Sequence, residues 1–201
     1  MTPSHLLSTL AEARAQTEGC VLCFLERRQV TRYLTGVAAD GVNNIPLRRK
    51  LAARGGYCAP HSAEFAALAS PLSAAILLNA FVKERLERAA SGKRPVRLRC
   101  EACEVGVKAR DGFIKTVERN RNSLEVRTSL LQSNLCLDHV ERLCRFLPSD
   151  VRGAFTAQHD GLLHDLEEVI RKHDYRFQGE GVTDAEKASV KKALTLLGFV
   201  E

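Results

Sequence analysis

The 201-residue chain predicts an all-α fold: an internally duplicated helical domain with two Cys3His metal sites, closed by a C-terminal clasp helix. Three observations carry this. Aromatic residues make up only 5% and Trp is absent, so the core falls to Leu, Ala, Val and Ile, a composition that favours helix over sheet. No segment rich in β-branched residues alternates with period two, so little or no sheet is expected. A set of cysteine and histidine motifs recurs in the same order in both halves, which divides the chain into repeats at 1–92 and 93–175 and a tail at 176–201.

The elements follow in order. Thr2-Pro3 opens a first helix to about Thr17, with Pro suited to its first turn. After Gly19, Cys20 to Cys23 leads into a helix to about Ala39, with Leu22, Leu25, Val30, Tyr33, Leu34 and Val37 as its apolar positions. Asn44 caps a short helix from Pro46 to Arg54 that Gly55-Gly56 ends. Cys58 and His61 begin the next helix, to Leu68, and Ser70-Pro71 restarts the chain into a long apolar helix that stops at Gly92.

The second half repeats the plan. Cys100 to Cys103 leads into a helix bearing Val107, Phe113, Ile114 and Val117, with a break near Asn120 to Asn122. A short helix from Leu124 to Gln132 ends at Ser133-Asn134, the counterpart of Gly55-Gly56. Cys136 and His139 start a helix to about Phe146, and Ser149-Asp150 caps one long helix to about His173. Aligning the cysteines also places Tyr33 on Phe113, Arg49 on Arg127 and Tyr57 on Leu135, which favours duplication over coincidence. Beyond Asp174 to Gly179, Thr183 and Glu186 fit a capping box, and Val190, Ala193, Leu194 and Leu197 give the closing helix an apolar stripe. With no partner in the first half, this helix is expected to pack across both repeats.

The repeated motifs are Cys20-x-x-Cys23 with Cys58-x-x-His61, separated by 34 residues, and Cys100-x-x-Cys103 with Cys136-x-x-His139, separated by 32. A tetrahedral metal needs four soft or borderline donors, and Cys3His is one of the standard zinc sets. Residues three apart on a helix share a face, and helix N-termini favour the thiolate. The near-equal gaps predict that each repeat closes its own site: Cys20, Cys23, Cys58 and His61 in one, Cys100, Cys103, Cys136 and His139 in the other. The alternative is a swapped arrangement, in which the CxxC of one half meets the CxxH of the other.

Two structural zinc ions are the leading reading of these ligands, since metal binding contributes directly to folding. Iron–sulfur clusters are the alternative. Dithiol redox chemistry ranks third, because the βαβ context of thioredoxin-type sites is missing. Haem attachment fails, because Phe24 and Glu104 stand where CxxCH needs histidine. His159, Asp160, His164 and Glu168 lie at helical spacing but fit a solvated face better than a site, and Cys144 fits a buried small hydrophobe. His5 and His173 carry no motif. Without a GxSxG elbow, P-loop or GxGxxG fingerprint, the sequence assigns no catalytic or nucleotide-binding residue.

The net charge of +6 sits between Lys83 and Arg127, where thirteen Lys/Arg face seven Asp/Glu. Its densest part holds Lys93, Arg94, Arg97 and Arg99. Such a segment can attract nucleic acid or an acidic partner, but aromatic residues for base stacking are scarce nearby, so an acidic protein partner or plain solvation is favoured. No apolar run reaches the roughly 18 residues of a membrane span. The N-terminus lacks the basic and apolar regions of a signal peptide. The expected location is the cytoplasm, where paired cysteines serve metals better than disulfides.

The order of Cys20-x-x-Cys23, a tyrosine-bearing helix, Gly56-Tyr-Cys-Ala-Pro-His61, the second CxxC, Leu135-Cys-Leu-Asp-His139 and Lys172-His-Asp-Tyr-Arg-Phe177 resembles an uncharacterised bacterial family with duplicated CxxC…CxxH units. The resemblance runs from Cys20 to Gly198 and implies no established activity. Val21 and Glu101 stand where such motifs carry proline, so a rigid knuckle turn is not implied here. The reading is a metal-binding protein acting as a binding, scaffold, or accessory or maturation factor with a protein partner. The runner-up is iron–sulfur electron transfer or redox sensing, and the third is a nucleic-acid binder through 83–127.

Overall fold

Helix boundaries follow the capping chemistry of the chain. The structure is a computed structural model that describes residues 2–94, 97–177 and 179–198. Pro95 and Val96 of the basic segment, and Gln178 before the closing helix, lie outside the described residues. Among those described, eleven α-helices and two single 3₁₀ turns, and no strand, make up the regular structure. Thr2 caps α1 (Pro3–Gln16), accepting from His5 N–H. Helix α2 (Val21–Ala39) starts inside the first CxxC. Asn44 caps α3 (Ile45–Ala53) by accepting from Leu47 N–H. Cys58 itself holds the N-cap position of α4 (Ala59–Leu68), and Ser70 caps α5 (Pro71–Ala90).

The second half begins with α6 (Glu101–Arg119), followed by α7 (Leu124–Leu131), capped by Ser123. Cys136 is the N-cap of α8 (Leu137–Cys144). The single long helix expected from Ser149 to His173 is instead two, α9 (Ser149–Ala157) and α10 (Asp160–Lys172). The chain turns at Gln158 and His159, where the Gln158 side chain donates to the Leu131 carbonyl at 2.8 Å and ties the corner to α7. Pro148, with no side-chain bond, holds the cap position expected of Ser149. Helix α11 (Asp184–Leu196) carries the expected capping box, with Thr183 and Glu186 each accepting from the other's backbone.

Two compact units share these helices. The central unit is Leu25–Asp111, and the discontinuous unit joins Met1–Phe24 to Gly112–Glu201. The repeat boundary at 92 and the tail boundary at 175 therefore do not coincide with the division between units, which falls inside α2 and inside α6.

Each unit has its own core. In the central unit α3 packs on α5, and Leu34, Leu51, Tyr57, Phe65, Leu77 and Phe81 are buried together. Gly55 and Gly56 end α3 at positive φ, 93° and 85°, with the Gly56 N–H donating to the Leu51 carbonyl at 3.0 Å. A Cβ on Gly56 would lie 2.7 Å from the Phe81 ring, so this turn and this core position both require glycine. In the discontinuous unit α1 packs on α7, α7 on α9 and α10 on α11, burying Leu6, Leu10, Val126, Leu130, Leu143 and Phe155. The closing helix is a clasp on α10. Glu186 forms its main polar tie, accepting from Lys172 Nζ at 2.7 and 2.9 Å.

Candidate metal centres

Each unit brings one CxxC and one CxxH together. Cys20, Cys23, Cys136 and His139 form the cluster of the discontinuous unit, and Cys58, His61, Cys100 and Cys103 that of the central unit. All eight residues read from the motifs are placed in clusters, but the within-repeat pairing is corrected to the swapped one. The reason lies in α2 and α6. Each is 19 residues long and begins in one unit and ends in the other. The chain from α2 to Cys58, with a single 3₁₀ turn and the 9-residue α3, stays in the unit where α2 ends. A CxxH so placed meets the CxxC that arrives from the other repeat.

The two clusters are assembled alike. The helix before each CxxC packs on the short helix before the CxxH of the same cluster: α1 on α7 and α5 on α3. A backbone bond fixes each pairing, from Val21 N–H to the Asn134 carbonyl in one unit and from Arg99 N–H to the Arg54 carbonyl in the other, both 3.0 Å. The donors converge on similar geometry. Cys23 and Cys136 Sγ lie 3.6 Å apart, and Cys58 and Cys103 Sγ 3.7 Å. His139 Nδ1 lies 3.1 Å from Cys136 Sγ, 3.4 Å from Cys20 Sγ and 3.5 Å from Cys23 Sγ. His61 Nδ1 lies 3.1, 3.4 and 3.3 Å from the sulfurs of Cys58, Cys100 and Cys103. Within each cluster all four ligand atoms lie within 4.8 Å of one another.

These spacings fit one tetrahedral ion. Zinc bonds near 2.3 Å to sulfur and 2.05 Å to nitrogen at tetrahedral angles put the donors about 3.8 Å (S to S) and about 3.6 Å (S to N) apart. Both histidines offer Nδ1, which leaves the proton on Nε2. His139 is 2% exposed and its Nε2 is buried without a hydrogen-bond partner, a cost that a metal bond at Nδ1 would offset.

Protonation inside the clusters shows why a cation suits them. Hydrogen bonds from the Cys20 and Cys23 sulfurs hold the Cys136 thiol far below its usual range, and the reciprocal bonds with Cys136 and Cys20 push Cys23 far above it. Burial disfavours a charged His139, yet the Cys136 and Cys20 sulfurs outweigh it and raise the ring to about 9. In the central unit burial raises Cys100, but backbone hydrogen bonds at Cys58 and Cys103 bring it down to about 7. Burial and then the neighbouring sulfurs of Cys100 and Cys58 push Cys103 up to about 12. Three sulfurs this close cannot all ionise without a positive charge among them.

The remaining candidates lie elsewhere. Glu168 is engaged by Arg171 at 2.8 Å, Asp160 opens α10 behind an uncapped His159, and His164 is exposed. Cys144 is half-buried, where full burial was expected, because it ends α8. His5 sits in the first turn of α1, and the His173 ring meets the Val169 carbonyl at 2.7 Å. Lys93, Arg94, Arg97 and Arg99 are exposed and outside any helix. The motifs did not reveal the polar anchors beside the central cluster: Lys50 with Glu101 at 2.9 Å, and Arg54 with Glu104. Their signal was legible only as the acidic pair Glu101 and Glu104 in the first turn of α6.

The fold and its sites define a helical protein with two four-donor Cys3His clusters, each able to hold a metal ion. Compared with known proteins, the chain matches no protein-family model, no curated protein and no solved structure. Among the described residues no helix is long and apolar enough to cross a membrane.

Proposed function

We propose that each cluster holds a single structural zinc ion, and that the protein is a metal-stabilised binding or scaffold component acting on a protein partner, as an accessory or maturation factor. One observation carries the metal reading: in both units three sulfurs and one Nδ1 stand within about half an ångström of the edge lengths of a single tetrahedral ion. Four protein donors fill a tetrahedral zinc and leave no position for water or substrate, which supports a structural role over a catalytic one. The close spacing also favours one ion over an iron–sulfur cluster, whose separate irons hold their terminal ligands further apart. The scaffold reading follows from the absence of any assigned catalytic group. The basic segment supports an acidic protein partner ahead of nucleic acid, because few aromatic side chains accompany it.

Elemental analysis of anaerobically purified protein, recorded beside its visible spectrum, tests the metal. About two zinc ions per chain and a colourless solution are expected from two four-donor sites. Stoichiometric iron with visible absorption bands would replace zinc by the iron–sulfur reading.

A further inference from the structure

The outward side of α5 carries an apolar stripe that, among the described residues, no other element of the central unit covers. Inward, Leu77 and Phe81 are buried in the core. On the opposite face Leu72, Ala75, Asn79, Val82, Leu86 and Ala89 are all exposed, and Leu72, Val82 and Leu86 keep 70%, 55% and 65% of their surface in solvent. Their steps are three, four, three, four and three residues, the seam of a two-stranded coiled coil. A helix apolar on both faces is ordinarily buried on both.

We propose that this stripe pairs with the same stripe of a second copy of the chain, α5 against α5, parallel and in register about a two-fold axis. Two features select a second copy over an unrelated helix. The charges beside the stripe are mostly paired within α5 itself, Lys83 with Glu87 at 3.8 Å and Arg88 with Glu84 at 2.9 Å, while Arg85 keeps its charge and donates to the Gly55 carbonyl at 2.8 Å. No unmatched row of charge remains to choose an oppositely charged partner. The single polar position, Asn79, lies at the middle of the seam. In a parallel in-register pair it faces its own copy, and the two amides satisfy each other, the arrangement by which one polar seam residue fixes register and strand number. In an antiparallel pair Asn79 would face Val82 and lose that partner. The stripe spans six seam positions, so the association is weak and expected in the micromolar range.

Sedimentation of the purified zinc-loaded chain from about 1 to about 200 µM tests this. A reversible monomer–dimer equilibrium is expected. Leu86→Glu should weaken it at least about fifty-fold, by placing two carboxylates in the seam, while leaving the melting temperature of the dilute monomer unchanged, since Leu86 makes no core contact. Asn79→Leu should tighten association and loosen its stoichiometry towards higher oligomers. A wild-type chain that is monomeric throughout, or a dimer indifferent to Leu86→Glu, would refute the proposal. Because α5 supplies no metal ligand, zinc content is read separately and distinguishes failure here from failure of the metal reading.

Discussion

The two Cys3His clusters share donor types and assembly but differ in what surrounds them. In the discontinuous unit Cys20, Cys136 and His139 are buried and only Cys23 is half-buried. In the central unit only Cys100 is buried, Cys58 and His61 are half-buried, and Cys103 is exposed. The contrast begins with four residues. The first turn after the CxxC cysteine carries Val21 and Phe24 in one unit, and Glu101 and Glu104 in the other. The facing short helices carry Thr128 and Gln132 against Lys50 and Arg54. One centre is sealed with apolar packing, Val21 being 1% exposed, and the other is tied at the surface by ion pairs. Exposed pairs contribute little and admit water, so the same four donors should be held tightly in one unit and loosely in the other.

Deleting a ligand is the strongest way to break that comparison. Structural zinc is bound with about 10–16 kcal/mol, and losing one of four donors forfeits on the order of 4 kcal/mol of it. For a chain of this size that corresponds to about 8–16 °C in melting temperature. Cys136→Ala should show this full loss, because it leaves two further sulfurs and His139 crowded out of water. Cys103→Ala should lose roughly half as much, since water can replace an exposed donor. Calorimetry that ranks Cys103→Ala equal to or above Cys136→Ala would separate burial from metal retention.

The turns before the two CxxH motifs give the next largest effect. Gly56 and Asn134 occupy matching positions two residues before Cys58 and Cys136. Gly56 has φ of 85° and no room for a Cβ beside Phe81. Among the described residues no residue other than glycine has positive φ, so Asn134 reaches its place with ordinary backbone and anchors by donating to the Glu18 carbonyl at 2.9 Å. Gly56→Ala should therefore cost about 2–4 kcal/mol, from left-handed strain and overpacking together. Asn134→Ala should cost about 1 kcal/mol, one exposed hydrogen bond. Urea titration of both variants measures the difference, and equal midpoints would show that the turns are interchangeable.

Metal exchange reads the same contrast kinetically. With excess chelator, half of the metal should leave about tenfold faster or more than the rest, in the manner of local opening at the less protected site. Alkylation followed by peptide mass spectrometry should label Cys103 first and Cys136 last. A single release phase, or early labelling of Cys20 and Cys136, would contradict the ranking of the centres.

Much of this was legible in the sequence, for local reasons. Thr2, Asn44, Ser70 and the Thr183–Glu186 box act within four residues of themselves, so their signals predict helix starts directly. The eight candidate ligands were legible because a tetrahedral metal ion needs a fixed donor set at fixed short spacing. The pairing was not. Near-equal gaps of 34 and 32 residues suit closure within a repeat or between repeats equally well, and the choice is made by two unbroken 19-residue helices. The split of 149–173 was also hidden, because the contact that ties its corner, from Gln158 to Leu131 of α7, reaches 27 residues back along the chain. The likeness of the two assemblies supports our proposal of duplication, with the halves exchanged between units.

The smallest effect expected is the pH response of the clasp, which the discontinuous unit has and the central unit lacks among the described residues. Lys172 beside Glu186, followed by the Thr183 backbone N–H, holds the Glu186 carboxyl below the usual carboxylate range. A depressed carboxyl stabilises the fold above its unfolded value, about 4.3, and that contribution disappears as pH falls through the folded value. Acid also protonates the metal ligands of both units, so the wild-type profile alone mixes the two causes. The difference between wild type and Glu186→Gln isolates the clasp. It should be constant from pH 7 to about 5 and shrink towards zero as pH falls through about 4 and below, in the melting transition of the discontinuous unit alone. A difference that stays constant to acid, or that appears in the transition of the central unit, would show that the Lys172–Glu186 pair is not what fastens α11 to α10.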